Sequence, residues 1–220
     1  MNNFSIEERA GVYRAIRERR DVRSGFLPNP LPKDLLVRLL GSAHEAPSVG
    51  LMQPWRFIVI ESRTIREKIF DDFQDASAQE HQTYSGERAQ LYSRLTLQGI
   101  LTAPVNLCVV CDSNSSQGHS LGRHTMPEAA MYSAVCAIQN LWLAARAEGV
   151  GLGWVSILHP EHVKTVLNIP TFMALVGYFC MGFVEQFASE PELETVGWER
   201  RLRLEEVLRH ETFDNAWSAV

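Results

Sequence analysis

The sequence predicts an α+β fold in which helices flank a mixed β-sheet, and three observations indicate it. Short runs rich in branched and aromatic residues, WRFIVI and NLCVV among them, are typical of strands. A long apolar segment from about Pro127 to Gly149 is interrupted by Gln139 and Asn140, so it fits a buried helix rather than a membrane span. The chain of 220 residues is long enough for one domain with its own core.

The first half of the chain is predicted to begin with two helices, a loop and a strand. Ser5 and Glu8 have the spacing of a capping box, and the helix that they open is predicted to continue through RERRDVRSGF and end near Gly25. A second helix is predicted to start at Pro32, because the fixed φ of proline suits the first helical turn. Residues 46–54, APSVGLMQP, have the composition of a loop, and the strand WRFIVI follows them.

The region after that strand has weaker patterns. Ser62 is predicted to cap a helix that ends near Phe73. Residues 74–100 are polar with scattered leucines, and we expect one helix there, around Leu91 and Leu95. Because this stretch is too long for an ordinary connection, it is a candidate lid.

The second half of the chain is predicted to alternate strands and helices before a tail. NLCVV and GWVSIL are predicted strands on either side of the long helix, residues 160–168 form a helix, and ALVGYFCMGF is a strand buried on both faces. The tail, residues 190–220, carries Trp198 and other apolar residues without an obvious local partner. We therefore expect an arm that embraces a second subunit in an intertwined homodimer. No repeat or linker divides the chain, which predicts a single domain over residues 1–220.

The charge of the chain excludes one broad class of partner. The formal net charge is −5, so a general nucleic-acid binder is not expected, because binding to a phosphate backbone needs a basic face. The segment MNNFSIEERAG contains acidic residues and no apolar run, so we expect no signal peptide. With no predicted membrane span either, the sequence indicates a cytoplasmic protein.

Two patterns could indicate metal or redox chemistry, and for each a simpler interpretation is favoured. Cys108 and Cys111 form a C-x-x-C, but they lie on a predicted strand, where residues three apart point to opposite faces. Buried reduced thiols are therefore expected. His159 and His162 have helical spacing, yet no third ligand is evident, so surface histidines are favoured and no metal site is predicted.

An arginine cluster surrounds Asp21 in the segment RRDVR. Arg19, Arg20 and Arg23 are the neighbouring cations. A guanidinium group can bind phosphate oxygens through two parallel hydrogen bonds, which favours a phosphate site with a carboxylate beside it. A solvated helix C-terminus would also favour cations, through the helix dipole. Both interpretations stay open on these residues alone.

Two further segments have a candidate role in binding. The loop at 46–54 places a hydroxyl, a bare backbone and an amide close together at Ser48, Gly50 and Gln53, which suits the edge of a heterocycle, although a simple turn also fits. GVGLGWVSIL contains a Gly-x-Gly, but tight packing at a strand start explains it, and it lacks the strand–turn–helix context of a dinucleotide site. Ser156 as a nucleophile has little support, because no elbow motif or positioned base accompanies it.

The combination of these segments resembles the nitroreductase-like flavoprotein family. The motifs are an R-R-x-x-R near the N-terminus, an A-P-S-x-x-x-x-Q-P-W loop, a G-L-G-W strand and a late arginine before L-x-L-E-E-V. The resemblance extends from about Tyr13 to Val207. It implies an α+β homodimer with FMN in two sites at the subunit interface.

The resemblance also implies a set of FMN-binding residues. Glu199 stands where many members have a lysine, which weakens the case for a tail–phosphate contact at Arg201. The implied residues are Arg19, Arg20, Asp21, Val22, Arg23, Pro47, Ser48, Val49, Gly50, Gln53, Trp154, Val155, Ser156 and Arg201.

Within the family, the chain resembles a branch that consumes its flavin. RRDVRSGF carries aspartate where ordinary nitroreductases usually have serine or threonine, and this implies catalytic roles for Asp21 and Ser156. The implied reaction is oxygen-dependent fragmentation of reduced FMN to 5,6-dimethylbenzimidazole and D-erythrose 4-phosphate, which supplies the lower ligand of cobalamin. A separate NAD(P)H-dependent flavin reductase would provide the reduced FMN. An NAD(P)H-dependent nitroreductase or flavin reductase, and a non-catalytic flavin-binding protein, are the alternatives.

Overall fold

A four-stranded sheet forms the centre of the molecule in a computed structural model that describes residues 3–95 and 98–217. The strand order is β1-β2-β4-β3, and all three pairs are antiparallel. In the described part of the chain, the parallel component of the expected mixed sheet is an isolated bridge between Asp21 and Leu152. The strands are β1 (Trp55–Ile60), β2 (Val105–Cys111), β3 (Val150–Val155) and β4 (Ala174–Phe183).

Helices cover both faces of this sheet and enclose two cores. One core packs α2 and α6 against the sheet, and the other packs α3, α5 and α7 against its opposite face. The predicted α+β architecture is therefore confirmed. The helices are α1 (Ile6–Glu18), α2 (Lys33–His44), α3 (Arg63–His81), α4 (Gly86–Tyr92), α5 (Gly99–Thr102), α6 (Ala129–Ala147), α7 (Pro160–Val166), α8 (Glu192–Thr195) and α9 (Leu204–Val207).

The two cysteines of the C-x-x-C lie in different cores, as the strand pattern predicts. Cys111 belongs to the core under α2 and α6, and Cys108 belongs to the core on the other face. Both thiols are free and buried. Burial raises the pKa of Cys108 to about 12 and that of Cys111 to about 11, so both thiols are protonated and unreactive at neutral pH.

The first helix ends earlier than the sequence predicts. The capping box is confirmed, because the Glu8 N–H donates to Ser5 Oγ at 3.2 Å and the Ser5 N–H donates to Glu8 Oε2 at 2.7 Å. However, α1 ends at Glu18 rather than near Gly25, and Arg19 has an extended backbone. The chain extends there because the next residues pair with the free edge of β3, where the Val22 N–H donates to Leu152 O at 3.1 Å.

Three other boundaries differ from the prediction. The helix capped by Ser62 does not end near Phe73 but continues to His81, since its apolar positions keep facing the core as far as Ala76. The helix predicted around Leu91 and Leu95 is short and ends at Tyr92. GWVSIL is only partly a strand, because β3 covers Val150–Val155. The candidate lid includes residues 96–97, which lie outside the described residues, and its role stays a prediction.

Trp198, an apolar residue of the tail, has partners within the chain. The Trp198 ring contacts Tyr84 and Tyr92, with ring centroids 5.3 Å and 6.4 Å apart, and the Arg88 guanidinium lies 4.9 Å from the Trp198 ring centre. The expectation that Trp198 lacks a local partner is therefore wrong. Beyond it, Leu202, Leu204, Val207 and Phe213 are exposed. Residues 218–220 of the predicted arm lie outside the described residues.

Two helices present apolar faces that the described residues of the single chain leave exposed. On α1, Val12, Tyr13 and Ile16 are about half exposed or more, and the helix has no buried residue. On α6, Tyr132 and Val135 form an exposed stripe. No described helix is long and apolar enough to cross a membrane.

Candidate active site

An arginine-lined cavity lies where the segment after α1 meets the tail. We call it the arginine cavity; its volume is about 120 Å³. Ligand pockets usually have volumes of roughly 300–1,000 Å³, so the cavity of a single chain is too small to enclose a nucleotide-sized ligand. Its lining residues are Arg19, Arg20, Asp21, Arg23, Pro191, Glu192, Leu193 and Arg201.

Two glycines of β3 allow the arginine segment to reach the sheet. A Cβ on Gly153 would lie 1.9 Å from Val22 O, and a Cβ on Gly151 would lie 3.2 Å from Val22 Cγ2. Only a bare backbone leaves room for this approach. The interpretation of the Gly-x-Gly as a packing requirement is therefore confirmed, and its role is to seat the residues that line the cavity.

Asp21 is held at the cavity wall through both carboxylate oxygens. Its Oδ1 accepts a hydrogen bond from the Trp154 N–H at 2.8 Å, and its Oδ2 accepts one from Arg23 Nε at 3.2 Å. The Asp21 side chain is 32% exposed and the Arg23 side chain 15% exposed. The carboxylate is thus fixed in orientation yet accessible from the cavity.

The Arg20 guanidinium donates hydrogen bonds to three backbone carbonyls. Its Nη1 donates to the carbonyls of Arg17 and Arg19, both at 2.8 Å, and its Nη2 donates to the carbonyl of Ser189. The guanidinium therefore joins the end of α1 to the tail. Its Nε is buried without a partner among the described residues.

Among the arginines of the cavity, Arg19 and Arg201 are the best placed to bind an anion. The Arg19 guanidinium lies 4.8 Å from the centre of the Trp142 ring. Burial lowers the pKa of Arg19, an effect that Asp21 opposes and that Arg20 and Arg201 reinforce. The Arg201 backbone N–H donates to Glu194 at 3.3 Å, and its side chain lines the cavity.

The loop at 46–54, which we call the serine loop, has a strained backbone. Ser48 Oγ accepts a hydrogen bond from the Gln53 N–H at 3.1 Å, and the Val49 N–H donates to Ser133 Oγ at 3.2 Å. Leu51 and Gln53 have φ values of 53° and 41°, which side chains rarely adopt. Such strain persists where the surrounding structure over-determines it, and it is common at functional sites.

A second loop contacts the serine loop; the segment SNSSQGHSLGRH is predicted from its sequence to be an open loop, but this contact was not predicted. Arg123 donates to the carbonyl of Ser113 and, at 2.7 Å, to that of Ser115, which closes residues 113–123 into a compact turn. A Cβ on Gly118 would lie 2.5 Å from Gly50 O, so the two loops touch through their backbones. The glycines of SNSSQGHSLGRH were the sequence feature that could have indicated this close contact between the two loops.

The serine loop and the arginine cavity lie at opposite ends of α6. The serine loop contacts Ser133 near the start of the helix, whereas the Trp142 Nε1–H donates to Arg20 O at 3.1 Å near its end. Nine residues separate these contacts, which corresponds to about 14 Å along a helix. A single chain therefore does not bring Pro47, Ser48, Val49, Gly50 and Gln53 together with the arginine segment.

Ser156 and Val155 differ in what they offer to a ligand. Ser156 is exposed and follows the end of β3, about 7 Å along the chain from Trp154. The Val155 side chain is buried in the core on the far face, so only its backbone is available.

His159 of the HPEH segment is bound to Asp72. Asp72 accepts from the backbone N–H of His159 and pairs with its Nδ1, both at 2.9 Å, so His159 is fixed at the start of α7. The described residues contain no group of three or more His, Cys, Asp or Glu that could hold a metal.

Trp55 is a core residue, 4% exposed, with its Nε1 3.1 Å from His44 Nδ1.

Comparison with known proteins assigns this fold and site to a class. The nitroreductase family model matches residues 16–183, and the chain belongs to the nitroreductase family. Members of that family are commonly dimers. The family resemblance and the nitroreductase-like fold predicted from the motifs are thereby confirmed.

Within the family, the similarity extends to particular enzymes. The chain is 45% identical over 198 residues to 5,6-dimethylbenzimidazole synthase from Rhodospirillum rubrum, which covers 90% of this chain and 93% of the relative. It is 40% identical over 203 residues to the enzyme of the same name from Rhodobacter capsulatus, with coverage of 92% and 98%. The predicted resemblance to a branch that forms 5,6-dimethylbenzimidazole is confirmed.

Solved structures with the same fold are more distant in sequence. Oxidized iodotyrosine deiodinase bound to FMN and 3-iodo-L-tyrosine has a TM-score of 0.73 at 21% identity, covering 92% of this chain and 100% of that one. The NADPH:FMN oxidoreductase from Vibrio harveyi, complexed with NAD+, has a TM-score of 0.67 at 16% identity, covering 92% and 78%.

Proposed function

We propose that this chain is an enzyme that fragments reduced FMN with dioxygen to 5,6-dimethylbenzimidazole and D-erythrose 4-phosphate, and so supplies the lower ligand of cobalamin. The observation that carries the proposal is the position of Asp21, held by Trp154 and Arg23 at the wall of an arginine cavity. The 45% identity to a relative named for this product supports the same conclusion. The protein would act in the cytoplasm.

The donor set of the arginine cavity fits a phosphorylated flavin. Four arginines face two acidic residues there, so the cavity has excess positive charge, complementary to a phosphate monoester. Arg19, Arg23 and Arg201 would hold the phosphate and the ribityl chain, while Arg20 secures the cavity wall. Val22 and Trp154 would line the approach through their backbones.

Bound FMN supplies, in its reduced form, both the electrons that dioxygen accepts and the carbon skeleton of the product. Asp21 would accept a proton from, or orient, a ribityl hydroxyl or a water, a role that suits a carboxylate with one oxygen turned to the cavity. Ser156 would donate a hydrogen bond to the edge of the flavin ring. The protein around them would exclude water from the reacting groups.

The complete site is proposed to need two subunits. The serine loop and the arginine cavity are separated along α6, yet both belong to the residue set that the family resemblance implies. A symmetric homodimer packed through the apolar faces of α1 and α6 would bring the serine loop of one subunit to the arginine cavity of the other. Pro47, Ser48, Val49, Gly50 and Gln53 would then face the ring of the flavin.

The candidate lid, residues 74–100, and the arm, residues 190–220, are proposed to cover the flavin together. Trp198 of the arm contacts Tyr84, which precedes α4, and Tyr92, the last residue of α4, and Arg201 follows three residues later in the cavity. Flavin binding should therefore slow hydrogen exchange in residues 84–92 as well as around Arg201. Exchange that changes only around Arg201 would limit α4 to a scaffold role.

Product analysis tests the proposed reaction. The purified protein is incubated with FMN, NAD(P)H, a separate flavin reductase and air, and products are identified by mass spectrometry. We expect dimethylbenzimidazole and erythrose 4-phosphate in equal amounts, and neither without the protein. Reoxidation of the flavin without these products would overturn the proposal. Rapid nitroaromatic reduction with NADPH and intact FMN would favour a nitroreductase, and unchanged FMN alone would favour a flavin-binding protein.

A further inference from the structure

The arginine cavity contains a second carboxyl group besides Asp21. Glu192 is the first residue of α8 and lines the cavity together with the arginine segment. The same residue also lines an adjoining cavity, whose other acidic residues are Asp21, Glu185 and Glu190. Glu192 is half-buried, so its carboxyl stands between two concave surfaces rather than in bulk water.

The two carboxyl groups of the cavity have different surroundings. Asp21 accepts hydrogen bonds from Trp154 and Arg23. Burial raises the pKa of Glu192, Arg23 opposes this shift, and the charge of Asp21 adds to it. When two acidic groups share a site and only one has close donors, an added proton is expected to bind to the other.

We propose that Glu192 takes up a proton when the phosphate of FMN enters the arginine cavity, and that this proton makes the affinity for FMN depend on pH. The inference rests on the proposed function, because it requires FMN in this cavity. The remaining charged groups that face Glu192 there are Arg19, Arg20 and Arg201. The arriving phosphate shares these cations and adds negative charge, which disfavours a second ionised carboxyl beside Asp21.

The direction of the pH effect follows from proton linkage. The complex holds more protons on Glu192 than the free protein does, so affinity is highest where Glu192 is protonated. Affinity falls as pH rises from the already raised pKa of Glu192 in the free protein to the higher pKa in the complex. The phosphate of FMN has its own pKa of about 6, but its contribution is common to the wild type and its variants.

Calorimetry can count the proton directly. FMN is titrated into the full-length protein near pH 6 in buffers with different enthalpies of ionisation, and the wild type is compared with Glu192→Gln. Glu190→Gln is the matched control, because Glu190 lines only the adjoining cavity. We expect the wild type and Glu190→Gln to take up roughly 0.5–1 proton more than Glu192→Gln. Glu192→Asp keeps a carboxyl and should restore part of the uptake.

The pH dependence of affinity gives a second readout. At pH 8, Glu192→Gln should bind FMN about threefold to tenfold more tightly than the wild type, because a like charge has been removed. Equal proton numbers and parallel affinity profiles in both proteins would overturn the inference. If that result is obtained and the wild type still forms dimethylbenzimidazole, the inference about Glu192 is wrong and the proposed function stands. If the wild type does not bind FMN at all, the proposed function fails with it.

Discussion

The carboxylate of Asp21 accepts a hydrogen bond from the backbone N–H of Trp154, with 2.8 Å between Oδ1 and N. This bond joins the segment after α1 to the edge strand of the sheet, next to the backbone bridge between Asp21 and Leu152. One oxygen of Asp21 therefore fixes the fold at this edge, and the other remains with Arg23 at the cavity.

Asp21→Asn separates these two tasks, because the amide oxygen can still accept from Trp154 while the negative charge is lost. We expect FMN affinity to stay within a few-fold of the wild type and product formation to fall about 100-fold or more. The stability should change by at most about 1 kcal/mol, since the ion pair with Arg23 is partly exposed. Fluorescence titration of FMN and single-turnover product analysis measure both effects. Lost affinity with unchanged turnover of the bound flavin would contradict a catalytic role.

Gly153→Ala tests the seat of the arginine segment. A Cβ there would lie 1.9 Å from Val22 O, so the segment must move away from β3. We expect a loss of about 1–3 kcal/mol in unfolding free energy together with weaker FMN binding. Gly41→Ala is the control, because a Cβ at that helical position meets nothing within 4 Å. Thermal denaturation checks the first effect, and wild-type affinity in a destabilised Gly153→Ala would contradict the second.

Ser156→Ala tests the proposed hydrogen bond to the flavin edge. Ser156 is exposed, so its removal should change stability by no more than about 0.5 kcal/mol. The loss of one positioned donor typically lowers a rate by roughly 100-fold, and we expect a loss of that size in product formation with FMN still bound. Ser42→Ala, on α2, serves as the control. Unchanged product yield from Ser156→Ala would remove Ser156 from the mechanism.

Arg201→Ala and Arg200→Ala form a matched pair in the tail. Arg200 is engaged by Glu206 at 2.8 and 3.0 Å, whereas the Arg201 side chain lines the arginine cavity. Loss of a charged hydrogen bond of about 1.5–3 kcal/mol should weaken FMN binding about 10-fold to 100-fold in Arg201→Ala only. Riboflavin, which has no phosphate, should bind both variants like the wild type. Equal effects on the two flavins would place Arg201 elsewhere than at the phosphate.

Val135→Arg tests the proposed subunit contact. Val135 is 40% exposed on the apolar stripe of α6, and a buried unpaired charge there should prevent association. We expect a monomer by analytical ultracentrifugation and loss of FMN binding, because a single chain has only part of the site. Val59→Arg, at a position 37% exposed on β1, should remain dimeric and active. A monomeric Val135→Arg that binds FMN normally would show that one chain suffices.

The sequence predicted most elements of the fold because local signals agreed with tertiary packing. ALVGYFCMGF is a strand over Ala174–Phe183 as predicted, since its apolar run is buried between both cores. The end of α1 was not predictable in this way, because the chain leaves the helix to pair with β3, which is about 130 residues away in sequence. Helical propensity alone contains no information about such a partner.

The candidate site was predictable as a set of residues but not as an arrangement. Motif resemblance singled out Asp21 and its arginines, and the cavity brings Arg201 to the same place. Glu192 belongs to no motif, and the bond from Arg20 to the carbonyl of Ser189 arises from a tertiary contact. The closure of residues 113–123 by Arg123 likewise depends on backbone carbonyls, which any sequence supplies.

The separation of the serine loop from the arginine cavity along α6 has a genetic consequence. If each pocket draws one wall from either polypeptide, lesions at Asp21 and Ser48 complement each other when they are carried by different copies. A mixed pair would then hold one doubly damaged pocket and one intact pocket. If one copy carried both lesions and its partner carried none, each of the two pockets would contain one lesion and both would be inactive.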